Sequence, residues 1–315
     1  MRALVTRLRS DRTREKVLVT DWKKPEGPGQ FEVLTQTVYS GVTNGTERND
    51  LVGGNYAHKD EELPSGWGYQ NVGRVIEVGQ GVKSLKIGDI LYMSQDHIEY
   101  CVEKEDGLHI KLPPEVEPKH AALFGMSSVA MRSCRNANIG MGSRFLIVGA
   151  GFIGQMAAQI ANTMGTRVTI CDIDDSRLKI ARKIGAVEEA LDVSGDNWGR
   201  LIKDRAYDSV LDVAGVKGME DKLISAAKDR GTVLFIAGRF KVEYTFNNAQ
   251  FHEINIKQNS HFSNDDLANV CRLTAREILL LEPLIQDVVP VADAKRIYDT
   301  LRDTPNKLFG TVFNW

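Results

Sequence analysis

The hydrophobic and polar positions of the chain follow two different rhythms. From Met1 to about Pro114 the apolar residues come in short runs, such as Val17-Leu18-Val19 and Val33-Leu34-Thr35-Gln36-Thr37-Val38, punctuated by Gly and Pro. Short alternating runs between turn residues predict strands, and helical periodicity is scarce there. Gly73-Arg74-Val75-Ile76-Glu77-Val78-Gly79 and the following 82–89 read as strand, turn and strand of a small barrel. Between about Lys119 and Val288 apolar strands alternate with amphipathic helices, the pattern of repeated βαβ units around a parallel sheet. The predicted strands are 145–148, 167–171, 209–213 and 232–237, with helices at 129–136, 153–164 and 176–184. After Asp287 the texture returns to strand and ends in Gly310-Thr311-Val312-Phe313-Asn314-Trp315. The pattern therefore predicts an α/β chain: a β-rich domain over 1–118, an inserted domain over 119–288, and a return to the first domain over 289–315.

Composition narrows the function. With 315 residues, 42% hydrophobic and 26% charged, the chain fits an ordinary globular protein of two domains. Forty Lys+Arg against 42 Asp+Glu give a formal charge of -2, so no overall field gathers nucleic acid or an anionic membrane. The basic stretch Arg7, Arg9, Arg12, Arg14 and Lys16 is interrupted by Asp11 and Glu15 and reads as a solvated hairpin. No apolar run approaches the roughly 18 residues of a membrane helix, and the start has no signal-peptide core, so a cytoplasmic protein is expected. Cys101, Cys134, Cys171 and Cys271 form no ligand-spaced pair and read as reduced, buried thiols.

The strongest chemistry lies in Phe145-Leu146-Ile147-Val148-Gly149-Ala150-Gly151-Phe152-Ile153-Gly154, a strand running through GxGxxG into an Ala-rich helix. Gly149 serves the tight turn, Gly151 the backbone approach to a pyrophosphate, and Gly154 the packing of helix on strand. Phe152 and Ile153 complete the loop, and the helix N-terminus offers free N–H groups and partial positive charge to phosphates. A second strand ends in Asp172, near the spacing of about 20 residues at which a carboxylate meets the adenosine ribose. That carboxylate accepts from both ribose hydroxyls and repels a 2′-phosphate, so NAD is the expected cofactor, with Arg177 as the residue that favours a phosphate. Asp174 and Asp175 read as caps of the next helix. Leu211-Asp212-Val213-Ala214-Gly215 and the run ending Ile236-Ala237-Gly238 read as later strands with their loops, so Ala214, Ala237 and Gly238 are candidates for contact with the nicotinamide ribose.

These pieces resemble the medium-chain dehydrogenase/reductase superfamily, the group of zinc-type alcohol and polyol dehydrogenases. The resemblance also rests on Tyr39-Ser40-Gly41-Val42-Thr43-Asn44-Gly45-Thr46-Glu47, the segment 68–79, Gly88-Asp89, Arg177-Leu178 and Ile184-Gly185-Ala186, and so covers essentially the whole chain. It implies a Rossmann doubly wound sheet beside a GroES-like β-rich catalytic domain. The stretch Ser40–Arg48, the stretch Gly68–Val75 and the closing Lys307–Trp315 are similar to a branch that includes the bacteriochlorophyllide hydroxyethyl dehydrogenase of photosynthetic bacteria. Zinc-type members carry a Cys, a Gly-His-Glu and a further Cys or Glu where this chain has Thr43-Asn44, Gly68-Tyr69-Gln70 and Gly125-Met126. A catalytic zinc needs three protein ligands, so no metal is expected. The four-cysteine structural lobe of many relatives is missing as well. Family analogy implies a homodimer or homotetramer paired through an edge strand, and an approach of Ser127 and Ser128 to the nicotinamide.

Without a metal, a side chain or water must carry the hydroxyl proton while hydride passes to the coenzyme. Thr46 aligns with the Ser/Thr that opens the proton relay of zinc-type relatives. Tyr69 stands where a ligand His would be, either passing a proton or filling the cavity. Glu47 and His97 are further candidates for base or orienting group, with a buried Glu47 paired to an Arg and a loop His97 as the alternatives. Asn44 and Gln70 are candidate contacts for a hydroxylated small-molecule substrate. The expected reaction is NAD-dependent interconversion of a secondary alcohol (polyol, sugar or cyclic alcohol) and its ketone. A zinc-free quinone or enone reductase and a non-catalytic dinucleotide sensor are the competing readings.

Overall fold

The computed structural model describes every residue of the chain except 196. The elements run β1 (Ala3–Leu8), β2 (Arg14–Val19), β3 (Glu32–Gly41), α1 (Asn44–Leu51), β4 (Ser65–Gly66), β5 (Asn71–Val78), β6 (Ile90–Met93), β7 (Tyr100–Lys104), β8 (His109–Lys111), α2 (Pro118–Ala121) and α3 (Phe124–Asn136). They continue β9 (Arg144–Val148), α4 (Phe152–Thr163), β10 (Arg167–Asp172), α5 (Asp175–Ile184), β11 (Glu189–Asp192), α6 (Trp198–Ile202), β12 (Tyr207–Asp212), α7 (Glu220–Ala226), β13 (Ala227–Phe235), α8 (Phe246–Gln250) and β14 (Asn255–Lys257). The chain ends α9 (Asn264–Ala275), β15 (Asp287–Pro290), α10 (Ala294–Asp303) and β16 (Thr311–Asn314). Two compact units result: Met1–Gly125, Leu267–Arg276 and Ile285–Trp315 form one, Met126–Asp266 and Glu277–Leu284 the other.

In the first unit the ten-residue β3 is the hub, pairing with β5, β7 and the C-terminal β16. The β1–β2 hairpin closes at Asp11, whose carboxylate accepts from the backbone N–H and hydroxyl of Thr13. Helix α10 buries Ala294, Ile297, Tyr298 and Leu301, a spacing that puts all four on one face against Leu4, Val42, Leu51 and Phe313. Two expectations fail here. The run 82–89 is not a strand, because Gly88 turns at φ 94 and pairing resumes only at β6. The basic hairpin is not uniformly solvated, because Lys16 on β2 is 2% exposed.

The second unit is a six-stranded parallel sheet in the order β11-β10-β9-β12-β13-β14. Its central strands read as near-continuous apolar runs, as a parallel sheet covered by helices on both faces requires. The strand order reverses between β9 and β12, and ligands of open α/β sheets bind at the carboxyl ends of strands beside such a reversal. Helix α5 is capped by Asp174, which accepts from Ser176 N–H at 3.0 Å, and it ends at Gly185 in the left-handed region. The helix starting at 124 is longer than the predicted 129–136. Among the described residues no helix is long and apolar enough to cross a membrane, and all four cysteines are free and buried.

Candidate functional site

The coenzyme motif is built at the reversal of the second unit's sheet. Gly149 adopts φ 106, and a Cβ there would stand 3.0 Å from Val213 Cγ2 and 3.1 Å from the Ala214 nitrogen. A Cβ on Gly154 would lie 2.0 Å from the Gly149 carbonyl oxygen, so only glycine lets α4 pack this closely. Gly151 differs: nothing lies within 4 Å of a Cβ built on it, which leaves open space at the N-cap of α4. That open cradle at a helix N-terminus fits a diphosphate. Asp172 closes the loop from the side. Its Oδ2 accepts the Ala150 N–H at 2.7 Å and its Oδ1 the Asp174 N–H at 2.9 Å, so the carboxylate is fixed in place. Gln155 braces the same loop by donating to the carbonyls of Ala150 and Arg177.

Of the remaining coenzyme candidates, Phe152 is buried within the unit and Ile153 keeps partial exposure. Arg177 leans on Asp174 at 3.7 Å. Ala214 and Gly238 are exposed at the strand ends, and Ala237 is half-buried. An unforeseen cluster supports these loops: Asp212 accepts the N–H groups of Ala214 and Gly215 and pairs with Arg239, which also reaches Glu220. Ser127 and Ser128 are wholly buried.

The second group of candidates lies in the first unit, around the start of α1. Thr43 is the N-cap residue, yet its hydroxyl is not spent on the helix. Glu47, one turn on, reaches back and accepts the Thr43 N–H at 2.7 Å. The freed Thr43 hydroxyl accepts from Gln70 Nε2 at 3.3 Å and, with that of Thr46, hydrogen-bonds the Tyr69 phenol. Tyr69 carries φ 139, a strained value for a residue with a Cβ, and its carbonyl accepts the Tyr92 hydroxyl at 2.5 Å. Burial, with the Glu47 charge as a lesser contributor, pushes the Tyr69 phenol well above its ordinary value. Gly125 makes room for that ring, since a Cβ there would meet Tyr69 Cδ2 at 2.8 Å.

Glu47 is 1% exposed and receives four donors. Lys16 Nζ (2.7 Å) and the Tyr298 hydroxyl (2.6 Å) meet Oε2; the Thr43 N–H and His97 Nε2 (3.1 Å) meet Oε1. Burial raises the carboxyl, but Lys16 and His97 outweigh it and hold the group ionised well below the ordinary carboxylate range. A carboxylate so satisfied is a poor proton acceptor. The structure thus places Glu47 as an interior charge whose partner is a lysine, not the arginine expected from sequence. His97 lies in the loop that precedes β7, is 0% exposed and faces Glu47. Gln70 is also 0% exposed and donates to Gly41 and Thr43 as a strut. Asn44 spends its Nδ2 on the Leu308 carbonyl and leaves a buried Oδ1 without a partner. Thr46 and Tyr69 alone of the four acid–base candidates keep partial exposure. Sequence reading missed Lys16, whose setting among the charges of the hairpin suggested solvent, and Tyr298, which carries no motif.

Among the described residues, no three His, Cys, Asp or Glu side chains gather in a way that could hold a metal ion.

Comparison with known proteins gives a consistent family. Residues 153–276 match the family model described as zinc-binding dehydrogenase. The L-threonine 3-dehydrogenase of Paraburkholderia phytofirmans is 27% identical over 252 residues, covering 69% of this chain and 72% of the relative. Among solved structures, 2R,3R-butanediol dehydrogenase from Bacillus subtilis superposes with a TM-score of 0.84 at 18% identity, covering 100% of this chain and 99% of the other. Galactitol-1-phosphate dehydrogenase from Escherichia coli gives 0.84 at 19% identity with complete coverage of both. At such identities the structural likeness speaks for the fold.

Proposed function

We propose, for a chain that belongs to the medium-chain dehydrogenase/reductase superfamily and is an oxidoreductase, that it interconverts a secondary alcohol and its ketone with NAD and without zinc. The observation that carries the coenzyme half is the open cradle at Gly151, faced by the helix N-terminus and flanked by the fixed Asp172 carboxylate. Gly149, Gly151 and the amides opening α4 would hold the diphosphate, and Asp172 the adenosine ribose. The bound nicotinamide supplies a site that gives or takes hydride at one carbon. A negative carboxylate at the ribose favours NAD over NADP, and Arg177 is drawn away toward Asp174.

The chain's own acid–base work falls to Tyr69 and Thr46. A phenol held protonated at neutral pH donates a hydrogen bond to a carbonyl oxygen and supports the negative charge that grows there as hydride arrives. In the oxidative direction the Thr46 hydroxyl accepts the substrate's hydroxyl proton and passes its own to solvent water, which its partial exposure allows. The relatives' names contain threonine, butanediol and galactitol 1-phosphate, all carrying hydroxyls on secondary carbons, which supports an alcohol substrate. Steady-state formation of NADH with a panel of those alcohols, other polyols and cyclic alcohols tests the reading. Tyr69→Phe and Thr46→Val should each lower turnover at least tenfold with NADH affinity within twofold of the parent. Unchanged turnover removes both residues from the reaction, and NADH binding without turnover on any alcohol, ketone or enone favours a sensor.

A further inference from the structure

We propose that Lys16, through its buried pair with Glu47, is the positioning residue of the Tyr69 site, joining across the interior the two segments that hold the phenol; this rests on the acid–base reading of Tyr69 above. The segments are 43–47, which supplies the Thr43 and Thr46 hydroxyls, and 67–70, which carries Tyr69 itself. Between them Gln70 Nε2 donates to the Thr43 hydroxyl at 3.3 Å, and among the described residues no disulfide and no cluster able to hold a metal adds to that neutral bond.

The ammonium of Lys16 touches both. It donates to Glu47 Oε2 at 2.7 Å, and Glu47 in turn fixes the Thr43 N–H. It also lies 3.4 Å from the carbonyl oxygen of Trp67, two residues before Tyr69. His97 repeats the pattern, with Nε2 on Glu47 and its backbone N–H on the same Trp67 carbonyl at 3.3 Å. Tyr298 completes the enclosure: its hydroxyl donates to Glu47, and its ring centroid is 4.9 Å from Lys16 Nζ. The array therefore ends at Trp67, two residues from the strained Tyr69 backbone, and at Thr43, whose hydroxyl meets the Tyr69 phenol.

Stability alone is a weak reason for this arrangement. A buried ion pair is often replaceable by apolar side chains of similar volume at no net cost, because desolvation of both charges consumes their attraction. What apolar side chains lack is direction. A charged pair with four aimed donors admits one relative placement of β2, α1, the 67–70 segment and α10, whereas packed methylenes tolerate several.

The test uses the whole chain labelled with tyrosine enriched at 13Cζ, the Tyr69 signal being assigned by its loss in Tyr69→Phe. In the parent the signal should remain that of a neutral phenol up to pH 11. In Lys16→Met/Glu47→Leu, which removes both charges together, Tyr69 should titrate near the ordinary phenol value of about 10. Glu47→Gln removes the carboxylate charge and keeps an oxygen for the Thr43 N–H, and should lower the Tyr69 titration by less than the double variant does. An unchanged Tyr69 titration in the double variant overturns the proposal. So does an equal fall in Glu47→Gln, which would assign the effect to charge and not to placement. Should the double variant fail to fold, Tyr298→Phe, which deletes one donor and spares the ion pair, should move the Tyr69 signal in the same direction by less, and no movement overturns the proposal. The measurement needs no substrate, so a failure here is distinct from full turnover in Tyr69→Phe, which would sink the acid–base reading instead.

Discussion

Glu47 carries a full charge in the interior, and four converging donors make that tolerable. Remove the lysine and the balance shifts: Lys16→Met leaves the buried carboxylate with His97 as its remaining ion-pair partner, at a cost of up to about 3–5 kcal/mol. The acid response follows from the sign of the shift. In the parent the folded carboxyl lies below its ordinary 4.5, so its contribution is complete above that pH and lost as pH falls below it. In Lys16→Met burial is opposed by His97 without the lysine, so the folded carboxyl lies higher than in the parent and less stability is lost on its protonation. Melting curves from pH 8 to 4 should therefore show the parent holding its Tm until near pH 4.5 and then losing it, while the variant starts from a lower Tm and loses less of it over the same fall. Parallel profiles would show that Lys16 does not hold Glu47 ionised.

At the scale of elements, the turn from β9 into α4 has two glycines with different duties. Gly154 sits where a Cβ would meet the Gly149 carbonyl at 2.0 Å, so Gly154→Ala must push the helix off the strand and should lower both Tm and NADH affinity. Gly151 faces open space, so Gly151→Ala should keep the parent Tm and still weaken NADH binding at least tenfold, by placing a methyl where the diphosphate would rest. Calorimetric titration with NADH beside thermal melts separates the two. Normal binding in Gly151→Ala would remove the cradle from the coenzyme reading. Local pattern made these elements legible, because the glycine spacing and the apolar strand before it are neighbours in the chain. The reading of 82–89 as a strand failed for an equally local reason: Gly88 turns left-handed there and its N–H bonds back to the Val75 carbonyl.

For the whole molecule, a coenzyme that binds only the folded chain must raise its stability, by about 2.7 kcal/mol at a hundred times its dissociation constant. NADH should therefore raise Tm by several degrees and NADPH at equal concentration by much less, because the fixed Asp172 carboxylate faces the added phosphate. Equal shifts would remove Asp172 as the discriminator. The surface carries net charge -2 and no field that would gather either coenzyme at a distance, so the preference must arise at the loop itself.

The sequence by itself determined the two rhythms, the α/β class, the glycine turn and the acid that follows it, since each is written in residues close together and each has one physical use. Tertiary structure alone decided which polar groups face inward. Lys16, His97 and Tyr298 reach Glu47 across 31, 50 and 251 residues of chain, and no local period distinguishes a lysine that finds a buried carboxylate from one that points into water. The interior charge is set by the closure of β2, α1 and α10 around one point, and a linear pattern holds no record of which side chains that closure brings together.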